Sequence, residues 1–170
     1  MGKVEIVRTV PVVALRGSVV YPTNEAILNF GRPKSKAAVQ AAFAQDKLLA
    51  VFTQKDARAT VPGANDLYKT GTLVIVQEIM PTGPEVHALV RGVARVSLSS
   101  MISTEPFLLG QVVDQKIETE GTEKEQALTY HISELFNKAL RLGKAVEFNQ
   151  SVMKIASGGA LPIEVAYQVA

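Results

Sequence analysis

The 170-residue sequence predicts an α+β fold: a β-rich lobe with one short helix over residues 1–117, followed by an α-helical lobe over residues 118–170. Three observations predict it. Short segments rich in Val, Leu and Ile recur up to Ile117, separated by turn-forming residues. A polar break follows at Glu118 to Gly121, and beyond it apolar residues recur at helical spacing. With 47% hydrophobic and 20% charged residues, the chain can bury a core.

The first strands and the short helix follow from composition and periodicity. Thr9 to Phe30 predicts two strands, because its β-formers are interrupted by Arg16 to Ser18 and by Tyr21 to Asn24. Pro33 suits a first helical turn, and the apolar spacing after it predicts a helix ending near Asp46. Leu48 to Thr53 is a compact apolar run of strand length.

The next segments predict a hairpin and further strands. Gly71 to Met80 and Glu85 to Val90 flank Pro81 to Pro84, a connection made of turn formers. Val93 to Leu98 and Phe107 to Ile117 are also β-rich. Strands this close together predict a twisted sheet or partly closed barrel, since parallel βαβ units would need helices between them.

The helical lobe begins with a capping signal. Thr122 and Glu125 have capping-box spacing, and Gly143 is placed to end that helix. A second helix is predicted over Ala145 to Ala156 and a third from Leu161 onward. Because the third helix stops without a cap, we interpret the chain as a piece truncated at its C-terminus. The apolar residues at helical spacing in the first of these helices are Leu128, Ile132, Leu135, Phe136, Ala139 and Leu142.

Composition argues against membrane and secreted proteins. There is no cysteine, which excludes disulfides and thiolate sites and favours a reducing compartment. The apolar runs Leu48 to Phe52 and Leu73 to Val76 are far shorter than the roughly 20 residues that span a bilayer. No export signal is visible at the N-terminus. The expected location is cytoplasmic, without membrane contact.

Charge argues against nucleic acid as a partner. The 18 basic and 16 acidic residues leave a net charge of only +2. Arg32, Lys34 and Lys36 form the best basic cluster, at the start of the short helix. No aromatic series accompanies them, so a solvated helix surface is the favoured interpretation.

Signatures of catalysis and of cofactor or metal binding are missing. Gly143 and Lys144 are the nearest approach to a phosphate loop, but Ala145 stands where magnesium binding needs a hydroxyl. His87 and His131 lie in different lobes, and neither has a partner at a metal-ligand spacing. We therefore predict no catalytic residue, no cofactor and no metal in these residues.

Apolar residues in loops are the best candidates for a binding site. Val20, Tyr21 and Pro22 follow the first strand, while Met80 and Pro81 begin the hairpin connection. We expect both groups to stand partly exposed and to contact apolar partners, for which a flexible methionine is well suited. The alternative is that they pack beneath their own loops.

The order and spacing of several motifs resemble one protein family. The chain resembles the amino-terminal domain of the Lon family of ATP-dependent proteases from about Pro11 to at least Phe148. Ala14 and Gly17 depart from it, since the family often has proline and aspartate there. The motifs that support the resemblance are Pro11 to Pro22, Leu28 to Ser35, Leu49 to Lys55, Asp66 to Thr72 and Val90 to Val96.

The resemblance implies a fold and a function. It implies a PUA-like pseudobarrel joined to a helical lobe, placed before an ATPase and a Ser-Lys protease whose motifs do not occur here. In that family the region engages unfolded or damaged proteins and assists hexamer assembly. The leading hypothesis is a noncatalytic substrate-recognition domain that binds exposed hydrophobic segments near the junction of the lobes. The alternatives are an oligomer-assembly module, or an RNA-binding domain of the kind that other PUA-like folds form.

Overall fold

A computed structural model describes residues 5–116, 121–143, 154–155 and 157–170, and the chain divides into two compact units, Met1–Lys116 and Ile117–Ala170. The helix predicted over Ala145 to Ala156 lies outside the described residues except at Lys154 and Ile155. The described strands and helices of the first unit are β1 (Val7–Leu15), β2 (Glu25–Phe30), α1 (Pro33–Ala44), β3 (Leu48–Thr53), β4 (Thr70–Thr82), β5 (Glu85–Ser103) and β6 (Leu108–Asp114). Those of the second unit are α2 (Glu123–Arg141) and α3 (Pro162–Val169).

The strands of the first unit form a barrel with an appended strand. Their order is β2-β5-β4-β3-β1-β6, and a further pairing of β5 with β6 closes a ring of β1, β3, β4, β5 and β6. Neighbours are antiparallel except for β1 and β3, which are parallel. The prediction of a partly closed barrel within an α+β fold is confirmed.

The predicted hairpin is present, but it is tighter than expected. β4 extends to Thr82, where it pairs with Glu85, so Gly83 and Pro84 alone form the connection. Gly83 has φ +61°, a conformation that glycine adopts without steric cost. Pro81 is therefore part of a strand, paired with Val86, rather than part of the turn. β5 also continues without interruption past Gly92.

The core of the first unit lies inside the barrel and under α1. α1 begins with Pro33 at its first turn and buries Ala38, Val39 and Ala42 completely. These small side chains let the helix approach the sheet closely, and they pack in one cluster with Val13 and Phe30. A second cluster, which includes Phe52 and Leu73, fills the other part of the barrel.

The second unit has the predicted caps. Thr122 Oγ1 accepts a hydrogen bond from the Glu125 N–H at 3.2 Å, and the Glu125 carboxylate accepts one from the Thr122 N–H at 3.3 Å. Gly143 has φ +65° just beyond α2, as a C-terminal glycine requires. Among the described residues, no helix has the length and apolar character needed to cross a membrane.

Candidate functional site

The loop between β1 and β2 holds three of the five residues predicted to contact a partner. Val20 is only 4% exposed and Pro22 is also buried, so the expectation that both stand exposed is wrong. Thr72 Oγ1 donates to the Val20 carbonyl at 2.5 Å, and the Thr23 N–H donates to the Gly92 carbonyl at 3.0 Å. These bonds draw the loop onto β4 and β5. Tyr21 remains half-buried.

The other two predicted residues are exposed at the far end of the hairpin. Met80 is 40% exposed and lies opposite His87 on β5, while Pro81 is exposed beside it. Burial alternates along β5, which places His87 and Leu89 on the outer face of the sheet. Leu89 lies directly opposite Ile27 of β2, which is 62% exposed.

Met80, Leu89 and Ile27 therefore share one solvent-facing surface, which we call the outer patch. Leu89 and Ile27 are cross-strand neighbours, and Met80 lies diagonally from Leu89, at about 7–8 Å. The sequence pointed to Met80, but it gave no sign of Ile27 and Leu89. Their contribution depends on the pairing of β2 with β5, two strands that are not adjacent in the sequence.

The structure does not bring the two predicted groups together. Tyr21 lies against Gly92, whereas Met80 lies opposite His87, five residues earlier on β5. At about 3.3 Å per residue, the two groups are roughly 16 Å apart along the strand. They also lie toward opposite faces of β5, since Gly92 alternates with the solvent-facing His87 and Leu89.

A cavity of about 730 Å³ lies between two strand edges, and we call it the strand gap. β2 pairs only with β5 among the described strands, so its other edge is open. The β1–β6 ladder ends at Val12, and beyond it β1 pairs only with β3. The residues that line the cavity come from both edges and from the start of α1: Ala14, Leu15, Arg16, Ser18, Ile27, Leu28, Asn29, Phe30, Gly31, Arg32, Pro33, Ser35 and Glu85.

Positive charge dominates one side of the strand gap. Arg16 is exposed, and the Arg32 guanidinium donates to the side-chain oxygen of Gln54. Burial, together with the neighbouring charge of Arg16, lowers the pKa of Arg32. Glu85 is the acidic residue in the lining. The two guanidiniums are thus held in a place where a carboxylate would be electrostatically favoured.

A smaller cavity of about 300 Å³ shares part of the lining of the strand gap, including Ala14 and Pro33. The remainder of its wall is mainly apolar, and it follows β1 away from β2. Val61, at its rim, is 74% exposed. The further lining residues are Val12, Arg32, Lys34, Ser35, Thr60, Pro62 and Leu108.

The basic cluster at the start of α1 is engaged within the domain. Lys34 pairs with the Glu105 carboxylate and donates to the Thr104 carbonyl at 2.8 Å. Lys36 donates to the Pro84 carbonyl at 2.9 Å. These contacts agree with a surface role for the cluster. The described part of the chain contains no group of His, Asp and Glu side chains that could hold a metal ion.

Two solved structures share this fold. The N-terminal domain of the Mycobacterium avium complex Lon protease superposes with a TM-score of 0.61 at 16% identity, covering 95% of this chain and 98% of that one. A Lon N-terminal domain protein from Xanthomonas campestris gives a TM-score of 0.58 at 14% identity, with 95% and 96% covered. The fold is thus of the class found in Lon amino-terminal domains.

The sequence comparison assigns the family. The model of the ATP-dependent protease La (LON) substrate-binding domain matches residues 9–169, so the chain belongs to the Lon substrate-binding domain family. Lon protease of Nitrosococcus oceani is 34% identical over 133 residues, which are 78% of this chain and 17% of that protein. Lon protease 1 of Hydrogenovibrio crunogenus is 33% identical over 169 residues, 95% of this chain and 20% of that protein. The chain thus spans about a fifth of the length of these relatives.

Proposed function

We propose that this domain recognises unfolded or damaged proteins by their exposed hydrophobic segments and leaves ATP hydrolysis and peptide cleavage to other parts of a Lon-type protease. The observation that supports this most directly is the outer patch, where Ile27, Leu89 and Met80 present apolar side chains to solvent. Pro81 lies at its margin, and the half-buried Tyr21, on the loop between β1 and β2, is a separate contact outside the patch. Val20 and Pro22, being buried, hold the loop in place.

Selection then follows from accessibility. A folded protein keeps its apolar side chains inside, whereas an unfolded one presents them to the outer patch. Each apolar side chain that becomes largely buried contributes roughly 1–3 kcal/mol, so a few contacts give weak and reversible binding. Such binding suits a domain that must accept clients of different sequence. We propose a cytoplasmic location, which the absence of cysteine supports.

An NMR titration of this chain tests the proposal. One protein is added in its native form and in a permanently unfolded form. We expect amide shifts around the outer patch with the unfolded form only, and we expect Met80→Asp to weaken binding about fivefold or more, because a charge would have to be desolvated. Ile102→Asp is the matched control, since Ile102 is 52% exposed on β5 but lies far from the patch. Equal shifts with both forms would overturn the proposal.

A second candidate function, subunit assembly, is supported by the exposed face of α2. Leu128 and Leu135 on α2, and Leu142 directly after its last residue, recur every seven residues and are 53%, 53% and 67% exposed. Residues at this spacing share one face of a helix, and such a stripe is typical of helices that pack against a partner. In this alternative the domain contacts other subunits of a homo-oligomer, which the resemblance to the Lon family implies is a hexamer.

Sedimentation at several concentrations separates the two candidates. Assembly predicts self-association that Leu135→Glu weakens, because a charge would enter the contact. Tyr130→Glu is the control, since Tyr130 is exposed on the opposite side of α2. A chain that stays monomeric at every concentration, with or without the substitution, would remove the assembly candidate for this chain. RNA binding is the third candidate, and undetectable binding at low salt would exclude it.

A further inference from the structure

The strand gap has backbone hydrogen-bonding groups on two edges that pair with no other strand among the described residues. The Asn24 carbonyl accepts from the Gly92 N–H of β5, so every second residue after it, Ala26 and Leu28, also faces β5. The backbone groups of Ile27 and Asn29, which lie between these positions, therefore point away from β5. On β1, the Leu15 carbonyl accepts from the Gln54 N–H, so the groups of Ala14 point away from β3. Both sets face the same cavity.

We propose that the strand gap binds a client segment as an added β-strand, and that the preferred segment combines apolar residues with a carboxylate. This inference rests on the proposed function and specifies the form in which a client is bound. Strand addition at an open edge gives affinity through main-chain hydrogen bonds, which do not depend on side-chain identity. That property suits a domain whose clients share only their lack of structure.

The topology fixes how an added strand would pair. β2 is antiparallel to β5, β5 to β4, and β4 to β3, while β3 is parallel to β1. The two open edges therefore run in opposite directions, and an inserted strand is antiparallel to one of them and parallel to the other. Hydrogen bonds on both sides distinguish this mode from addition at a single open edge.

The walls of the cavity define the chemistry of the segment. Arg16 and Arg32 favour a carboxylate, and the exposed Arg16 is the one more accessible to it. The smaller cavity continues from Ala14 and Pro33 and offers apolar walls to a neighbouring side chain. An extended segment places successive side chains on alternate sides, so alternating apolar residues with an aspartate near one end match both features.

The first test uses a peptide of about seven residues, enough to span β2, with alternating valine and threonine and one aspartate. Its N-methylated form, blocked at alternate amides, keeps every side chain but cannot donate those main-chain bonds. We expect the unmodified peptide to shift the amides of Ile27, Asn29 and Ala14 in NMR spectra of this chain, and N-methylation to weaken binding about tenfold or more. Exchanging the aspartate for asparagine should weaken it about two- to fivefold, and Arg16→Gln should reduce that preference.

A second test alters the protein. Asn29→Pro removes an N–H that points into the gap and leaves the ladder to β5 intact, a position at which an edge strand tolerates proline. Asn29→Ala removes the same side chain and keeps the N–H, so the affinity difference between the two variants reports the backbone donor. We expect the proline variant to bind the peptide about tenfold or more weakly than the alanine variant. Amide spectra of both variants verify the fold.

The outcomes separate this inference from the proposed function. If N-methylated and unmodified peptides bind equally, or if unfolded protein binds through the outer patch alone, strand addition is overturned and substrate recognition stands. If neither the peptide nor any unfolded protein binds, both are overturned. Should Asn29→Pro fail to fold, the comparison of the two peptides on the unaltered chain decides the question by itself.

Discussion

Gly92 shows how one residue fixes the loop between β1 and β2. A Cβ at this position would lie 2.1 Å from the Tyr21 carbonyl oxygen and 2.9 Å from the Pro22 Cα. Both are backbone atoms, so rotation of a side chain would not relieve the contact. Glycine is therefore required for the loop to cross β5, and the crossing is what buries Pro22.

Gly92→Ala is expected to destabilise the first unit. The loop would have to move away from β5, breaking the hydrogen bond between the Thr23 N–H and the Gly92 carbonyl. We expect the free energy of unfolding to fall by about 1–3 kcal/mol, measured by chemical denaturation. Gly31→Ala is the matched control, because its Cβ would meet only the Glu85 side chain at 3.5 Å. The free energy of unfolding of Gly31→Ala should stay within about 0.5 kcal/mol of that of the unaltered chain. Equal losses in the two variants would contradict the steric explanation.

The burial of Val20 and Pro22 could not be predicted from local sequence. Both stand in a segment that looks like an ordinary exposed loop, and the signal that would have located them is a glycine about 70 residues later in the chain. The exposure of Met80 was predictable because its position depends only on the hairpin. The contribution of Ile27 and Leu89 was not predictable, since these residues become neighbours only through the pairing of β2 with β5.

At the scale of the element, the α2 cap offers a direct test. Thr122→Ala removes the hydroxyl that accepts the Glu125 N–H, leaving that donor without its capping partner. We expect a loss of about 0.5–2 kcal/mol of stability in the helical unit, followed by the helical circular dichroism signal during denaturation. Thr122→Ser keeps the hydroxyl and should retain most of that stability. A serine variant as unstable as the alanine variant would show that the cap is not the cause.

The first turn of α3 should respond to pH. The Glu164 carboxylate accepts bonds from Lys154 Nζ at 2.8 Å and from the Leu161 N–H at 2.9 Å, and these lower its pKa. Stability gained from a lowered carboxyl pKa is fully present above the unfolded value of about 4.3 and is lost as pH falls through the folded value. Glu164→Gln should therefore flatten the acid-induced loss of helix signal below about pH 5. If Glu164→Gln loses its helix signal at acid pH as the unaltered chain does, Glu164 is not the group responsible.

The elements themselves differ in how far the sequence predicts them. The residues of β3 and the start of α1 match the expectation, because each depends on a short apolar run or on one proline. The closure of the ring by β5 and β6 does not follow from any local pattern, since β-rich composition does not specify which strands pair. The strand gap depends on the same long-range pairing, and no motif in the sequence marks it.

At the scale of the whole molecule, we expect the fragment 1–116 to fold on its own. Every buried residue of both core clusters lies between Val10 and Val112, so the fragment keeps them all. We expect the amide spectrum of the fragment to match that of residues 5–116 in the full chain, apart from positions near the cut. An amide spectrum with the narrow dispersion of an unfolded chain would show that the first unit needs residues beyond 116.

Weak contacts gain strength when several copies of a domain are joined. If the outer patch binds a client with modest affinity, linking two copies makes the second contact intramolecular, and the overall affinity rises by about 10²–10⁴. A tandem of two copies of this chain should therefore retain a long unfolded client far better than one copy, measured by dissociation rate. If the tandem also binds a short peptide, which cannot reach two copies, far better than one copy does, the gain in affinity has a cause other than double contact.

The opposite directions of β1 and β2 have a consequence for how a client is read. Reversing the direction of an inserted segment exchanges the edge to which it is parallel and the edge to which it is antiparallel. Strand addition is thus open to a segment in either chain direction, and we expect both a peptide and its reversed sequence to bind. A damaged protein then does not have to present its exposed segment in one particular chain direction.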